Sequence, residues 1–317
     1  MIRKMSLVAV LIVLTLVLGF AGGTVFYPMD SRYSQKVQIS LPEDLDSYLQ
    51  KSEEALHPKA HTQKGIIWAY LDHRKTPLSL VYLHGFSATR KEISPVTEDL
   101  AKKLNANVFF TRFSGHGLGG EGMGAAKGYQ WVADAAEALE IGKRLGEKVV
   151  ILGYSTGAAL SVPLAELHDP NLAGVVMMAP NFRPQHILSP LSAGPLGVWI
   201  TNLVTGGKNS FATKNADHAY YWTSAYPAIA IHELMELLKY VNSIDAEKMS
   251  VPLLMVYSPR DKVVSVPEML KKYQAWGSAN KKLVEFKTGG HLFAGNIIAP
   301  EGNEALENEI LDFIRTL

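Results

Sequence analysis

A serine flanked by glycines two residues away on either side, Gly153-Tyr154-Ser155-Thr156-Gly157, follows the apolar run Val149-Val150-Ile151-Leu152 and precedes Ala158-Ala159-Leu160-Ser161-Val162. Strand, tight turn and helix together lift a serine hydroxyl clear of a sheet and present it as a nucleophile. Gly153 and Gly157 occupy the positions where a Cβ would collide across such a turn. A helix that begins at the serine also aims its N-terminal dipole at the oxygen of a reacting carbonyl. Five residues alone can match by chance, so the weight rests on the strand before them and the small-residue helix after them.

A nucleophilic serine needs a base, an acid to orient that base, and donors for the charge that develops. His291 follows Thr288-Gly289-Gly290, just past an apolar run at 283–286. Asp261 follows the run at 253–257 through Ser258-Pro259-Arg260. Both fall beyond the carboxyl ends of predicted strands, on the edge where Ser155 is expected, and the chain order Ser, Asp, His suits the turn. His291 is therefore expected to take the proton of Ser155 and pass it to the leaving group, with Asp261 holding the imidazole tautomer. The rivals fit less well. His116 precedes the nucleophile, Glu285 lies inside a predicted strand, and Asn181, after the run at 175–179, carries no charge. Leu80-Val81-Tyr82-Leu83 runs into His84-Gly85-Phe86-Ser87. The N–H groups of Phe86 and Thr156 are the expected oxyanion hole, and Gly85 lets the backbone approach the substrate. His84 precedes that glycine and is expected to point inward and hold the loop by hydrogen bonds.

These residues need a scaffold that brings distant loops to one edge. Strands are expected at 66–70, 78–83, 108–110, 149–152, 175–179, 253–257 and 283–286. Helices are expected near 93–104, 131–145 and 156–167, with Ser94-Pro95 and Asp134 near helix starts. Strands apolar throughout, alternating with helices, imply a parallel sheet covered on both faces. The rhythm lapses over 182–245, which holds Trp199, Tyr220, Tyr221, Trp222 and Tyr226 and a helical pattern at 229–241. Some 60 residues are marginal for a separate core, so this stretch reads as a cap inserted between two strands. The core is then split into 65–181 and 246–317, after a polar lead-in at 28–64 with an amphipathic helix near 44–56. The glycine-rich stretch from Gly115 to Gly128 has no lysine-serine or lysine-threonine pair in phosphate-loop spacing and reads as a flexible loop near the site.

His84-Gly85-Phe86, Arg112-Phe113-Ser114-Gly115-His116-Gly117 and Gly153-Tyr154-Ser155-Thr156-Gly157, with Asp261 and His291, resemble the monoacylglycerol-lipase and serine-aminopeptidase-like branch of the α/β-hydrolases. The resemblance runs from Gly65 to the C-terminus. It implies an α/β-hydrolase fold: a mostly parallel, doubly wound sheet with an inserted cap. It also implies a carboxylesterase, lysophospholipase or monoacylglycerol-lipase-like activity with no cofactor and no metal. Phe113-Ser114 replaces the arginine-containing turn that often precedes Gly-His-Gly, which leaves the bracing of that loop to be found.

Composition narrows the partners. A net charge of +1 over 317 residues, with no basic run interleaved with aromatics, gives no reason to expect nucleic acid. The chain has no cysteine, which removes disulfides, thiolate catalysis and cysteine-held zinc. His232-Glu233 opens like a zinc-protease helix, but position 236 is Glu where the second histidine belongs. Arg3 and Lys4 precede an uncharged run from Met5 to Tyr27. That pattern is a signal peptide or a retained membrane anchor over 1–27, and either places the body outside the cytoplasm, in a periplasm or cell envelope. The leading expectation is hydrolysis of a small carboxylic ester, with possible membrane association through residues 5–27. Peptide hydrolysis by the same triad is the alternative and needs acidic residues for a substrate ammonium, with Asp217, Glu233 and Glu236 the candidates. A non-catalytic envelope binding protein is the third reading.

Overall fold

The computed structural model describes residues 27–35, 39–186 and 189–317. The 1–27 signal or anchor assignment therefore falls almost wholly outside the described residues. Among the described residues no helix is long and apolar enough to cross a membrane.

The lead-in carries helix α1 (Leu45–Glu54), capped by the Asp44 carboxylate on Ser47 N–H, with Leu45 and Leu49 turned into the main core. Strands β1 (Gly65–Ile67), β2 (Thr76–Leu83) and β3 (Asn107–Phe110) follow, with helix α2 (Val96–Leu104) between the last two. Helix α2 buries Val96 and Leu100, has Glu98 and Asp99 in its first turn and Lys102 and Lys103 in its last, and ends on a left-handed Asn105. Next come α3 (Gly119–Ala125), α4 (Gly128–Leu145), β4 (Gly146–Tyr154), α5 (Thr156–Glu166) and β5 (Leu172–Met178). The chain then leaves the sheet through α6 (Gly197–Thr205), β6 (Lys208–Ser210), α7 (Ala216–Tyr221), β7 (Ala225–Pro227) and α8 (Ile229–Ser243). It returns as β8 (Leu253–Tyr257), α9 (Val266–Ala275), β9 (Lys281–Glu285) and α10 (Asn303–Ile314).

Seven strands form one sheet in the order β1-β3-β2-β4-β5-β8-β9, parallel except for β1, which pairs antiparallel with β3. Successive strand residues feed opposite cores. Val81, Leu83, Ile151 and Met177 face one cluster, Leu80, Tyr82, Leu152 and Met178 the other. Strand order reverses around β2, which is flanked by β3 and β4. The loops after β2 and β4 therefore open on a common crevice at the carboxyl edge.

Three local expectations are corrected. The strand expected at 66–70 stops at Ile67. Beyond it the Trp68 ring stacks on His73 and its N–H reaches Asp46. The glycine-rich stretch from Gly115 to Gly128 is not simply a loop, because Gly119–Ala125 is helical. Its glycines serve close packing: a Cβ on Gly124 would meet Pro227 Cγ at 2.8 Å, and one on Gly120 would meet Ala225 O at 2.6 Å. Asp134 is no helix cap. It lies in mid-α4, and its carboxylate accepts the Ser114 N–H at 2.6 Å.

Candidate active site

Strand β4 delivers the chain to Ser155 in a conformation that few side-chain-bearing residues adopt, φ 50° and ψ −111°. Backbone bonds pin it from both sides: Ser155 N–H donates to Met178 O at 2.8 Å, and Asn181 N–H donates to Ser155 O at 3.0 Å. The flanking glycines answer to specific neighbours. A Cβ on Gly153 would lie 2.6 Å from Ala158 Cα, and one on Gly157 would overlap the Leu83 carbonyl at the end of β2. The turn thus closes only without side chains at those two positions.

His291, in the loop after β9, places Nε2 3.0 Å from Ser155 Oγ and Nδ1 2.7 Å from Asp261 Oδ2. The Asp261 side chain is fully buried, and its other oxygen accepts the N–H groups of Val263 and Val264 at 2.8 and 3.0 Å. Burial alone raises the pKa of a carboxyl. Here the hydrogen bond to His291 and the two backbone donors outweigh it, and Asp261 sits below the ordinary carboxylate range. An ionised Asp261 favours the imidazole tautomer with Nδ1–H toward it, which leaves Nε2 to accept from Ser155. The three side chains singled out by sequence are thus within proton-transfer reach.

The two backbone N–H groups expected to hold an oxyanion are left unpartnered among the described residues by two different devices. Thr156 is the first residue of α5, so its N–H has no intrahelical partner. Phe86 follows β2 in the loop, and its N–H has no acceptor among the described residues. The Phe86 ring stands edge-on to Trp131, His116 and Tyr226, which ties the loop to α4 and to β7. His84 points inward, as expected. Its Nε2 accepts Phe113 N–H at 3.2 Å and its Nδ1 lies 2.8 Å from Gly85 O. Burial pushes its pKa well below the usual imidazole value, so it stays neutral and structural. His116 is buried in the same aromatic cluster, and its pKa is pushed down to about 4 by burial. It is placed as a packing residue, and it makes no bond to Ser155. Glu285, the rival acid, accepts from Tyr257 OH at 3.1 Å.

Sequence reasoning missed the supports. Arg112 braces the 113–117 loop through its Nη1 to His116 O at 3.1 Å, while its Nε and Nη2 form a fork on the buried Glu53 of α1 at 2.6 and 2.8 Å. Asp134 and the Trp131 N–H hold the two ends of Ser114, so the loop is secured without an arginine at 113 or 114. Tyr154, the variable residue before the nucleophile, donates to His291 O at 2.9 Å and accepts Phe293 N–H at 3.2 Å. No spacing rule links these partners. Glu53 and Arg112, and Tyr154 and His291, lie far apart along the chain, and only the folded structure brings them together.

A model of the serine aminopeptidase S33 family matches residues 75–296, spanning the nucleophile, the acid and the base. The chain belongs to that family. A thermostable monoacylglycerol lipase of Bacillus sp. (strain H-257) is 25% identical over 217 residues, covering 68% of this chain and 83% of the lipase. A metagenome-derived lipolytic enzyme superposes with a TM-score of 0.69 at 19% identity, covering 82% of this chain and all of that one. A soluble variant of monoglyceride lipase from Saccharomyces cerevisiae superposes with a TM-score of 0.61 at 16% identity, covering 90% and 97%. The fold is that of the α/β-hydrolases.

Proposed function

We propose that this protein is a serine esterase acting on lipid-like carboxylic esters, of the monoacylglycerol-lipase kind, through an acyl-enzyme on Ser155. The observation that carries the reading is the relay Ser155 Oγ, His291 Nε2, His291 Nδ1, Asp261 Oδ2, with separations of 3.0 and 2.7 Å. In the reaction, Ser155 Oγ attacks the ester carbonyl as its proton passes to His291 Nε2. The carbonyl oxygen becomes anionic between the N–H groups of Phe86 and Thr156, which bind it more tightly than the ground-state oxygen. Collapse expels the alcohol, protonated by His291. Water then adds to the acyl-enzyme by the same relay, releases the acid and restores Ser155.

Two features favour an ester over a peptide. Glu233 pairs with Lys127 at 2.8 Å and accepts Gly128 N–H, and Glu236 accepts Gly194 N–H, so two of the three acidic candidates, all but Asp217, are already engaged within the protein. The relatives described above are two monoacylglycerol (monoglyceride) lipases and a lipolytic enzyme. The stretch 182–245 acts as a cap, and its apolar face meets lipid aggregates. Helix α6 has no charged residue and exposes Trp199, Leu203 and Val204. The run from Met5 to Tyr27 would tether or export the enzyme, leaving the catalytic domain in the periplasm or cell envelope. Protease accessibility of the domain in intact cells tests that placement.

The deciding measurement compares wild type with Ser155→Ala on monoacylglycerols and p-nitrophenyl esters of varied chain length, and on aminoacyl-nitroanilides. Ester turnover should fall by about 10⁴-fold or more in the variant. Equal rates, or turnover of the nitroanilides alone, would refute the reading.

A further inference from the structure

Glu92 is a buried carboxylate that the relay does not use, 3% exposed, in the segment between β2 and α2. Its Oε2 accepts the Gly85 N–H at 2.7 Å and the Tyr82 hydroxyl at 2.9 Å. Its Oε1 fills the space a side chain would take at position 85: a Cβ there would lie 2.6 Å from that oxygen and 3.2 Å from Ser155 Cβ. Carboxylate and nucleophile therefore flank the same glycine. The backbone around Glu92 also receives the loop that carries the base. Asn296 N–H donates to Ser94 O at 2.9 Å, and Gly295, at φ 96°, lies so close that a Cβ on it would be 2.9 Å from Ile93 Cα.

Resting on the serine-esterase reading, we propose that Glu92 is a positioning residue for catalysis: its carboxylate clamps the peptide between His84 and Gly85 so that the next N–H, that of Phe86, faces the acyl oxygen. Without the clamp, the buried Gly85 N–H has no acceptor and the loop turns to find one. The titratable groups that act on Glu92 are Tyr82 from β2, Tyr154 from β4 and His291 from the loop after β9. Burial raises the Glu92 pKa to about 7, against the pull of Gly85 N–H, Tyr82 and the charge on His291. The acid therefore titrates near neutrality.

The test uses the intact chain, Glu92→Ala and Glu92→Gln, with ester kinetics and the rate of labelling by a fluorophosphonate probe across pH. Glu92→Ala should lower kcat by about 10- to 100-fold with KM little changed, the signature of a weakened oxyanion donor. Glu92→Gln keeps an acceptor for Gly85 N–H and should recover all but about three-fold of kcat. Its pH profile should lose one ionisation near pH 7, and a protonated-carboxyl infrared band that titrates in wild type should vanish. A Glu92→Gln profile identical to wild type, or full kcat in Glu92→Ala, overturns the inference. If Glu92→Ala does not fold, the Gln variant decides alone. Failure of wild type to label at Ser155 would instead overturn the esterase reading beneath it.

Discussion

The turn at Ser155 and the helix α6 in the insertion are built to opposite standards. At the turn, every neighbour is committed: Gly153 faces Ala158, Gly157 faces the Leu83 carbonyl, and both Ser155 backbone groups are bonded. At α6, Leu203 and Val204 are 70% and 72% exposed and meet little of the protein. A backbone with one solution fixes the chemistry. A surface with little packed on it among the described residues leaves selectivity less constrained by the fold. The contrast separates what the enzyme does from what it does it to.

Substitutions can break that separation, in descending order of effect. Gly157→Ala forces its Cβ onto the Leu83 carbonyl, where neither strand nor helix can yield. Ester turnover should fall by at least about 100-fold, with destabilisation of about 3 kcal/mol or more in chemical unfolding. A variant with native activity would show that the turn is looser than its contacts imply. Glu53→Gln leaves the Arg112 guanidinium buried against a neutral partner. It should cost about 3–5 kcal/mol in denaturant unfolding, because an uncompensated buried charge remains. That outcome would place the lead-in helix with the committed half of the molecule. The smallest effect is expected from Leu203→Ser with Val204→Ser. Stability should stay within about 0.5 kcal/mol, as for other exposed positions. Hydrolysis of soluble short-chain esters should be unchanged while hydrolysis of aggregated monoacylglycerol drops several-fold. Equal loss on both substrates would make α6 part of the committed half.

The same divide governs what can be read from the sequence. The five inner strands, β3, β2, β4, β5 and β8, are legible because buried parallel strands are continuous apolar runs, and β8 matches its expected bounds. The triad is legible because each member follows such a run. The helix α3 is not, because its four glycines speak against a helix and the reason for them lies in Ala225 and Pro227, some 100 residues away. The helices α9 and α10 fall outside the expected elements, although Pro267 near the start of one and the Leu306, Ile310, Phe313 stripe of the other are local signals. Arg112, Glu53 and Asp134 were invisible as supports, since an ion pair between distant elements leaves no periodicity.

The backbone angles of Ser155 set the fold against its own reaction. A φ of 50° with ψ near −111° is a posture that glycine takes at less expense than serine. A glycine there would relax the chain while ending the chemistry. The nucleophilic atom is thus mounted on a strained residue, and the surrounding sheet, by packing well around it, keeps that discomfort in place.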